Sequence, residues 1–279
     1  NGTRGAIYIW NHDGTDFTVN PFKEFAADER ADSAIVFADI TNDNDQNLEL
    51  LINTRPIGPS NIGRIYAFKL DGTPVSAKWN GQNTMLAGNL DKITMPKIAV
   101  GDLNHDGTLE IAFGSRTALH LLDFEGNSIT NFPKNIVDNN GAAVTKMFTA
   151  PILADVDTDS DAEIIINADG DIYAFNMDGS SCAGFPLESE SESPFVGPPS
   201  VDDIDNDGKN EIAFSARNYS THIFKTPGLA VNNEWASGRG NTKNIGTYRE
   251  VCNNISDLYV KDSPGDTGKE PNTVSQYMW

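Results

Sequence analysis

The segment Pro198–Ala216, PPSVDDIDNDGKNEIAFSA, decides how the rest of this chain is read. A short apolar run leads into Asp203, Asp205 and Asp207, Gly208 follows, and Glu211 opens a second apolar run. Two other stretches repeat it. In AVGDLNHDGTLEIAFGS the same offsets hold Asp102, Asn104, Asp106 and Glu110, and in ILADVDTDSDAEIIINA they hold Asp155, Asp157, Asp159 and Glu163. A repeating unit, not bulk acidity, places these side chains.

Oxygen ligands at positions 1, 3 and 5 of a tight loop, with a carboxylate at position 9, converge on one hard cation when the backbone curls around it, and that is calcium chemistry. Position 7 (Thr108, Asp161, Lys209) is expected to add a backbone carbonyl, leaving the Asp161 and Lys209 side chains in solvent. Gly107 and Gly208 at position 6 make the sharp turn. An EF-hand needs its bidentate acid at position 12, which here is Phe113, Ile166 and Phe214, so helical calcium loops, dockerin-type ones included, are excluded. The flanks IAVGD and EIAF place each loop between two strands. The plain alternative is an acidic β-turn, since Asp, Asn and Gly are ordinary turn residues. Against it stands the repulsion of acids packed into one short loop without a cation. A fourth copy, FADITNDNDQNLELLINT, opens at Asp39 but reaches its acid two residues late, so Asp39, Asp43, Asp45 and Glu49 form a fourth candidate site of altered geometry.

The DxDxDGxxE loop between two strands, followed by a strand and turn such as GDIYAFNMDG, resembles the FG-GAP or VCBS repeat of integrin-α-like β-propellers. The resemblance covers roughly residues 5 to 250 and implies an all-β propeller with calcium loops between the first two strands of each blade. GAIYIWNHDGTDFTVN (5–20), GRIYAFKLDGTPVSAKW (63–79), ALHLLDFEGNSITNFP (118–133) and GDIYAFNMDGSSCAGFP (170–186) each read as a third strand, a turn at Asp-Gly or Glu-Gly, and an outer strand. The loops open at residues 39, 102, 155 and 203, spaced by 63, 53 and 48 residues, which suits four blades plus a partial one represented by its last two strands, with either strands from the other end of the chain closing the ring or upstream blades removed. The inner strands are expected to line a central channel, with helix nearly absent. Residues 1–250 are thus expected to form the propeller and 251–279 a linker.

With 279 residues the chain is long enough for one large all-β domain. Its formal charge is −20 and its pI about 4.4, and eleven acids stand at ligand positions of the three regular loops. No basic patch is visible, which excludes nucleic acid as a partner. No run is apolar enough to span a bilayer, and the first residues do not read as a signal peptide. The chain begins at Asn1 and is expected to be a processed piece of something longer. Such calcium loops suit a calcium-rich exterior, so the chain is expected to be secreted or on the cell surface. Cys182 and Cys252 either pair or stay separate thiols.

Two longer insertions, Arg55–Ile62 and Trp79–Thr94, are either binding loops or plain surface loops. Past the last loop, Trp235, Arg239, Asn241, Gly246 and Tyr248 resemble the tail that follows the final blade in many bacterial proteins of this class. Trp235 is expected to anchor the tail by burial rather than to stack on sugar. The Pro/Gly/Asp-rich end resembles the junction into β-sandwich modules of large Bacteroidota-type proteins, subtilisin-like peptidases and adhesins exported by the type IX route to the outer-membrane exterior. It implies a further domain after Trp279.

Catalysis has little to rest on. There is no GxSxG, HExxH or Walker loop, and His12, His105, His120 and His222 read as turn, loop or structural residues. His105 is expected to point away from its metal. The expected function is a non-catalytic interaction, adhesion or spacer module, with an extracellular protein or glycan and other domains of the same polypeptide as partners. The alternatives are an accessory domain of a secreted peptidase and a propeller-fold polysaccharide lyase using Arg217, Tyr219 and His222.

Overall fold

The computed structural model describes residues 5–17, 21–25, 29–31, 34–41, 47–56, 64–79, 97–115, 118–145, 149–189, 194–238, 240 and 248. Among them the chain is all-β, and its helical content is two 3-10 turns, Ala77–Trp79 and Ala230–Asn232.

The strands pair antiparallel in small sheets that follow one another along the chain. β1 (Ala6–Ile7) pairs with β2 (Lys23–Glu24). Then come β3 (Glu29–Arg30), β4 (Val36–Ala38), β5 (Glu49–Asn53), β6 (Arg55–Pro56) and β7 (Ile65–Phe68). β4, β5 and β7 form sheet I, while β3 pairs with β6 beside it. Sheet II is β8 (Ile98–Gly101), β9 (Glu110–Gly114), β10 (Ala118–Leu122) and β11 (Lys134–Asn135). Sheet III is β12 (Ile152–Ala154), β13 (Glu163–Ala168) and β14 (Asp171–Phe175), and sheet IV is β15 (Phe195–Asp202), β16 (Lys209–Ala216) and β17 (Thr221–Leu229).

One register recurs in all four sheets. The last residue of each first strand faces the acid that closes the loop: Ala38 with Glu49, Gly101 with Glu110, Ala154 with Glu163, Asp202 with Glu211. The acidic loops are therefore the connections between first and second strands, as the sequence predicts. The two extra residues of the first loop are taken up inside it and leave the ladder unshifted, which matters because a one-residue slip would exchange the two faces.

Apolar runs on the middle strands follow from how the sheets stack. In sheet I, Leu50, Ile52, Tyr66 and Phe68 face β1 and β2, whereas Leu51 and Ala67 pack toward sheet II. In sheet III, Ile164, Ile166 and Tyr173 join the core shared with sheet II, and Ile165, Ile172 and Ala174 join Val201, Ile212 and Phe214 of sheet IV. β5, β9 and β13 lie in sheets covered on both faces and are buried throughout, apolar apart from the loop-closing acids and Asn53 and Asn167. β17, at the end of the series, is mostly exposed.

First strands of successive sheets are neighbours, β4 by β8, β8 by β12 and β12 by β15. The segment after β17 lies against this row. Trp235 exchanges backbone hydrogen bonds with Leu153 at 2.8 and 2.9 Å, Val201 N donates to Ala236 O at 2.9 Å, and Tyr248 N donates to Phe37 O at 2.8 Å. Where the sequence suggests an open channel between first strands, this tail packs on them. Trp235 is 1% exposed, a buried anchor as expected and unavailable to sugar.

The outer strands are a correction. Just past its turn each third strand is met by a single bridge, Trp10–Asp16, Phe68–Pro74, Leu122–Ser128 and Phe175–Ser181, and in three cases pairing resumes farther along, at β2 opposite β1, at β11 opposite β10 and at Leu187 opposite Ile172. Among the described residues only sheet II has a fourth strand, and that is β11, farther along the chain. The side chains of Asp13, Asp71 and Asp178 close the turns on Thr15, Thr73 and Ser180. Pro74 stands at its bridge, and Pro133 and Pro186 stand just before pairing resumes; each lacks an N–H to give to a ladder.

Candidate metal centres

The register sets up each loop. The closing acid, placed by the ladder, turns an oxygen back to the residue after the loop's first acid: Leu103 N donates to Glu110 Oε2 at 2.9 Å, Val156 N to Glu163 Oε2 at 2.7 Å and Ile204 N to Glu211 Oε2 at 2.9 Å. Ile40 N donates to Glu49 Oε2 at 2.9 Å in the same manner. The late acid of the fourth copy thus takes the place of a position-9 acid, while Asp43 and Asp45 lie outside the described residues.

At position 5, Asp106, Asp159 and Asp207 accept the N–H of Thr108, Asp161 and Lys209 at 2.8, 3.0 and 2.9 Å. Asp102 and Asp203 wrap their loops: Asp102 accepts from Asp106 N and Gly107 N at 2.9 and 2.8 Å, and Asp203 from Asp207 N and Gly208 N at 3.0 and 2.8 Å. Gly107 and Gly208 sit at φ 86° and 87°, the left-handed region. In the middle loop Ser160 occupies that position at φ 74°. There Asp155 is not wrapped in the same way, and its Oδ2 accepts Asn232 Nδ2 at 2.7 Å.

Charge accumulates at the buried base of the loops. Burial, followed by the nearby Asp106 and Asp102, pushes the Glu110 carboxyl up to about 7. Burial with Asp157, Asp159 and Asp155 around it pushes Glu163 up to about 8. Asp159 is also raised, by burial and Asp157. A cation bound in these loops would supply the charge that otherwise comes from protons. Two carboxylate oxygens, Asp155 Oδ1 and Glu211 Oε1, are buried with no hydrogen-bond partner. Oxygens of Asp203, Asp205 and Glu211 lie within 4.8 Å of one another, as do those of Asp157 and Glu163 with Cys182 Sγ.

Some residues at these loops are not evident from the motif. Cys182 is a buried free thiol whose Sγ donates to Asn176 Oδ1 at 3.5 Å, and burial pushes its pKa up. Cys252 lies outside the described residues. His105 points out of its loop as expected, with Nε2 donating to Ser160 O of the next loop at 3.2 Å and Nδ1 4.0 Å from Glu234. Glu234 Oε2 accepts Asp102 N at 3.2 Å and the Tyr248 hydroxyl. Lys225, on β17, reaches Asp205, Asp207 and Glu211. Superposing the loop motifs gives none of these. Extending the strand register by one pair would have found Lys225.

The lyase candidates are scattered in role. Tyr219 is fully exposed at a left-handed turn position, and His222 Nε2 lies 2.8 Å from Ser220 Oγ and stacks near Phe214. Arg217 N donates to Pro194 O. The insertions 57–63 and 80–96 and the tail residues Arg239, Asn241 and Gly246 lie outside the described residues. No helix among the described residues is long and apolar enough to cross a membrane.

No protein-family model and no curated protein matches the chain. Among solved structures it is similar to the V. cholerae biofilm matrix protein Bap1, at 16% identity and TM-score 0.42 over 81% of this chain and 42% of that one. It is similar to BBS1N in complex with ARL6DN, at 11% identity and TM-score 0.40 over 70% of this chain and 54% of that one. It is similar also to a protein of unknown function from Bacteroides caccae, at 11% identity and TM-score 0.36 over 79% and 69% of the two chains. The chain therefore spans about half the length of the first two.

Proposed function

We propose that this chain is a calcium-stabilised β-propeller segment of the FG-GAP or VCBS type. It serves as a non-catalytic interaction, adhesion or spacer module of a larger secreted or cell-surface protein, presenting its surface to an extracellular protein or glycan. The propeller reading is supported by four sheets of one register whose first strands neighbour each other in chain order. The calcium reading is carried by two buried carboxylate oxygens at the base of two acidic loops, Asp155 Oδ1 and Glu211 Oε1, that accept no hydrogen bond, the latter with the Lys225 ammonium 3.7 Å away. A neutral turn would leave no such oxygen, because burying a carboxylate oxygen without a hydrogen bond is costly.

Each cation would be held by one set: Asp102, Asn104, Asp106 and Glu110; Asp155, Asp157, Asp159 and Glu163; or Asp203, Asp205, Asp207 and Glu211. The carbonyls of Thr108, Asp161 and Lys209 complete them. Asp39 and Glu49 anchor a fourth set with Asp43 and Asp45. Oxygen-only sets with several carboxylates are suited to calcium. Its work is structural, since binding to the folded state alone becomes folding free energy.

The test is thermal melting of the whole chain in calcium and in chelator, followed by incubation of the loaded protein with acidic polysaccharides. Melting is expected to fall by ten degrees or more on chelation, on the order of a few kcal/mol, with no unsaturated sugar ends formed. Unchanged melting would sink the calcium reading, and sugar ends absorbing in the ultraviolet would overturn the non-catalytic one.

A further inference from the structure

The three regular loops share a motif but differ in what stands opposite the closing acid. Across β16 and β17, Glu211 faces Lys225. In sheet II the ladder between β9 and β10 ends at Ile111 with Leu122, and one step farther puts Asp123 opposite Glu110. In sheet III, Ile164 faces Phe175, and the next step puts Asn176 opposite Glu163. One regular loop of three therefore has a cationic side chain in that place. Its ammonium bonds Asp205 Oδ2 and lies 3.4 Å from Asp207 Oδ2 and 3.7 Å from Glu211 Oε1. Glu211 is 3% exposed, and that Oε1 has no hydrogen bond. The ammonium answers its charge only from a distance beyond hydrogen bonding.

We propose that Lys225 is a tethered counter-ion of the loop Asp203–Glu211, lying among its carboxylates in the metal-free protein and competing there with calcium. This rests on the calcium reading of the loops. Asp205, Asp207 and Glu211 are three of that loop's four side-chain ligands, so a cation and the ammonium cannot both sit among them without repulsion. The Lys225 side chain is 64% exposed on a long flexible stem, so it swings into solvent when calcium arrives. The outcome is a set of unequal sites. The loops 102–110 and 155–163 fill first, and 203–211 fills at higher calcium, keeping part of its order through Lys225 when calcium is scarce.

Gly107 and Gly208 give each loop its own reporter, because their N–H groups donate to Asp102 and Asp203. Calcium is titrated into the full chain while both amide signals are followed by NMR, for wild type, Lys225→Met and Lys225→Arg. The expected result is that Gly107 responds before Gly208 in wild type. In Lys225→Met the Gly208 midpoint should fall about tenfold, the scale of one competing charge, with Gly107 unmoved. Lys225→Arg keeps the charge and should keep the late midpoint. A Gly208 midpoint that is the same in wild type and Lys225→Met overturns the proposal and leaves calcium binding standing. If neither glycine responds to calcium in any of the three proteins, the calcium reading fails and this proposal with it.

Discussion

At the scale of single residues, a buried histidine and a buried carboxylate behave in opposite ways. His120 stacks on Phe113 with centroids 4.8 Å apart, and its Nε2 meets Ser115 Oγ at 3.1 Å. Its Nδ1 has no partner, and burial lowers its pKa to about 4. The folded value lies below the unfolded one, so the unfolded chain binds the extra proton. Stability from the neutral ring is present above about pH 6.5 and is lost as pH falls toward 4. The loss approaches roughly 3 kcal/mol at the acid end. We expect His120→Gln, measured by urea unfolding with calcium saturating, to show a shallower fall in stability than wild type between those limits. Parallel falls would show that the histidine is not a source of acid sensitivity.

At the scale of elements, the loops are tied to strands of other sheets as well as their own. β17 runs so close to the 155–163 loop that a Cβ on Gly228 would lie 2.1 Å from the Asp155 carbonyl oxygen. Backbone cannot give way as a side-chain tip can. Gly228→Ala should therefore cost more than about 2 kcal/mol in urea unfolding, although its addition is a single methyl group. A loss under 0.5 kcal/mol, the range of ordinary surface changes, would show that β17 does not rest on that loop. The four loop-bearing hairpins were legible in the sequence because acid spacing and apolar flanks are local signals. The same holds for the Asp-Gly turns. The outer strands were misplaced because an apolar or β-branched residue after a turn looks like a strand start, whereas pairing there stops at one bridge and resumes only farther along, at β2, β11 and Leu187. The buried cluster of Glu29 with Thr54, Arg64 and Tyr66 was missed, since its members come from separate stretches of chain with no shared spacing. Lys225 and Asn232 were missed for a similar reason: their partners lie across a sheet or in the next one.

At the scale of the whole molecule, sheets I, II and III and the tail share one apolar core, in which Trp235 is a member without belonging to a strand. The tail meets the first strand of every sheet, through Phe37, Asp102 beside β8, Leu153 and Val201. It therefore acts as a common support where the four sheets converge, and its contribution should be out of proportion to its length. Truncating Trp235 to alanine opens a cavity lined by groups that cannot all close in, which costs about 3–5 kcal/mol. The indole Nε1 has no hydrogen-bond partner, so Trp235→Phe removes volume but no bond and should cost less than about 2 kcal/mol. Calorimetry of both variants in calcium should show one transition in each, displaced far more in the alanine protein, because the core that Trp235 fills is continuous across the sheets. A second, separate transition in Trp235→Ala would show instead that the sheets unfold independently once the tail is loosened. Equal melting of the two variants would place the tail outside the cooperative unit.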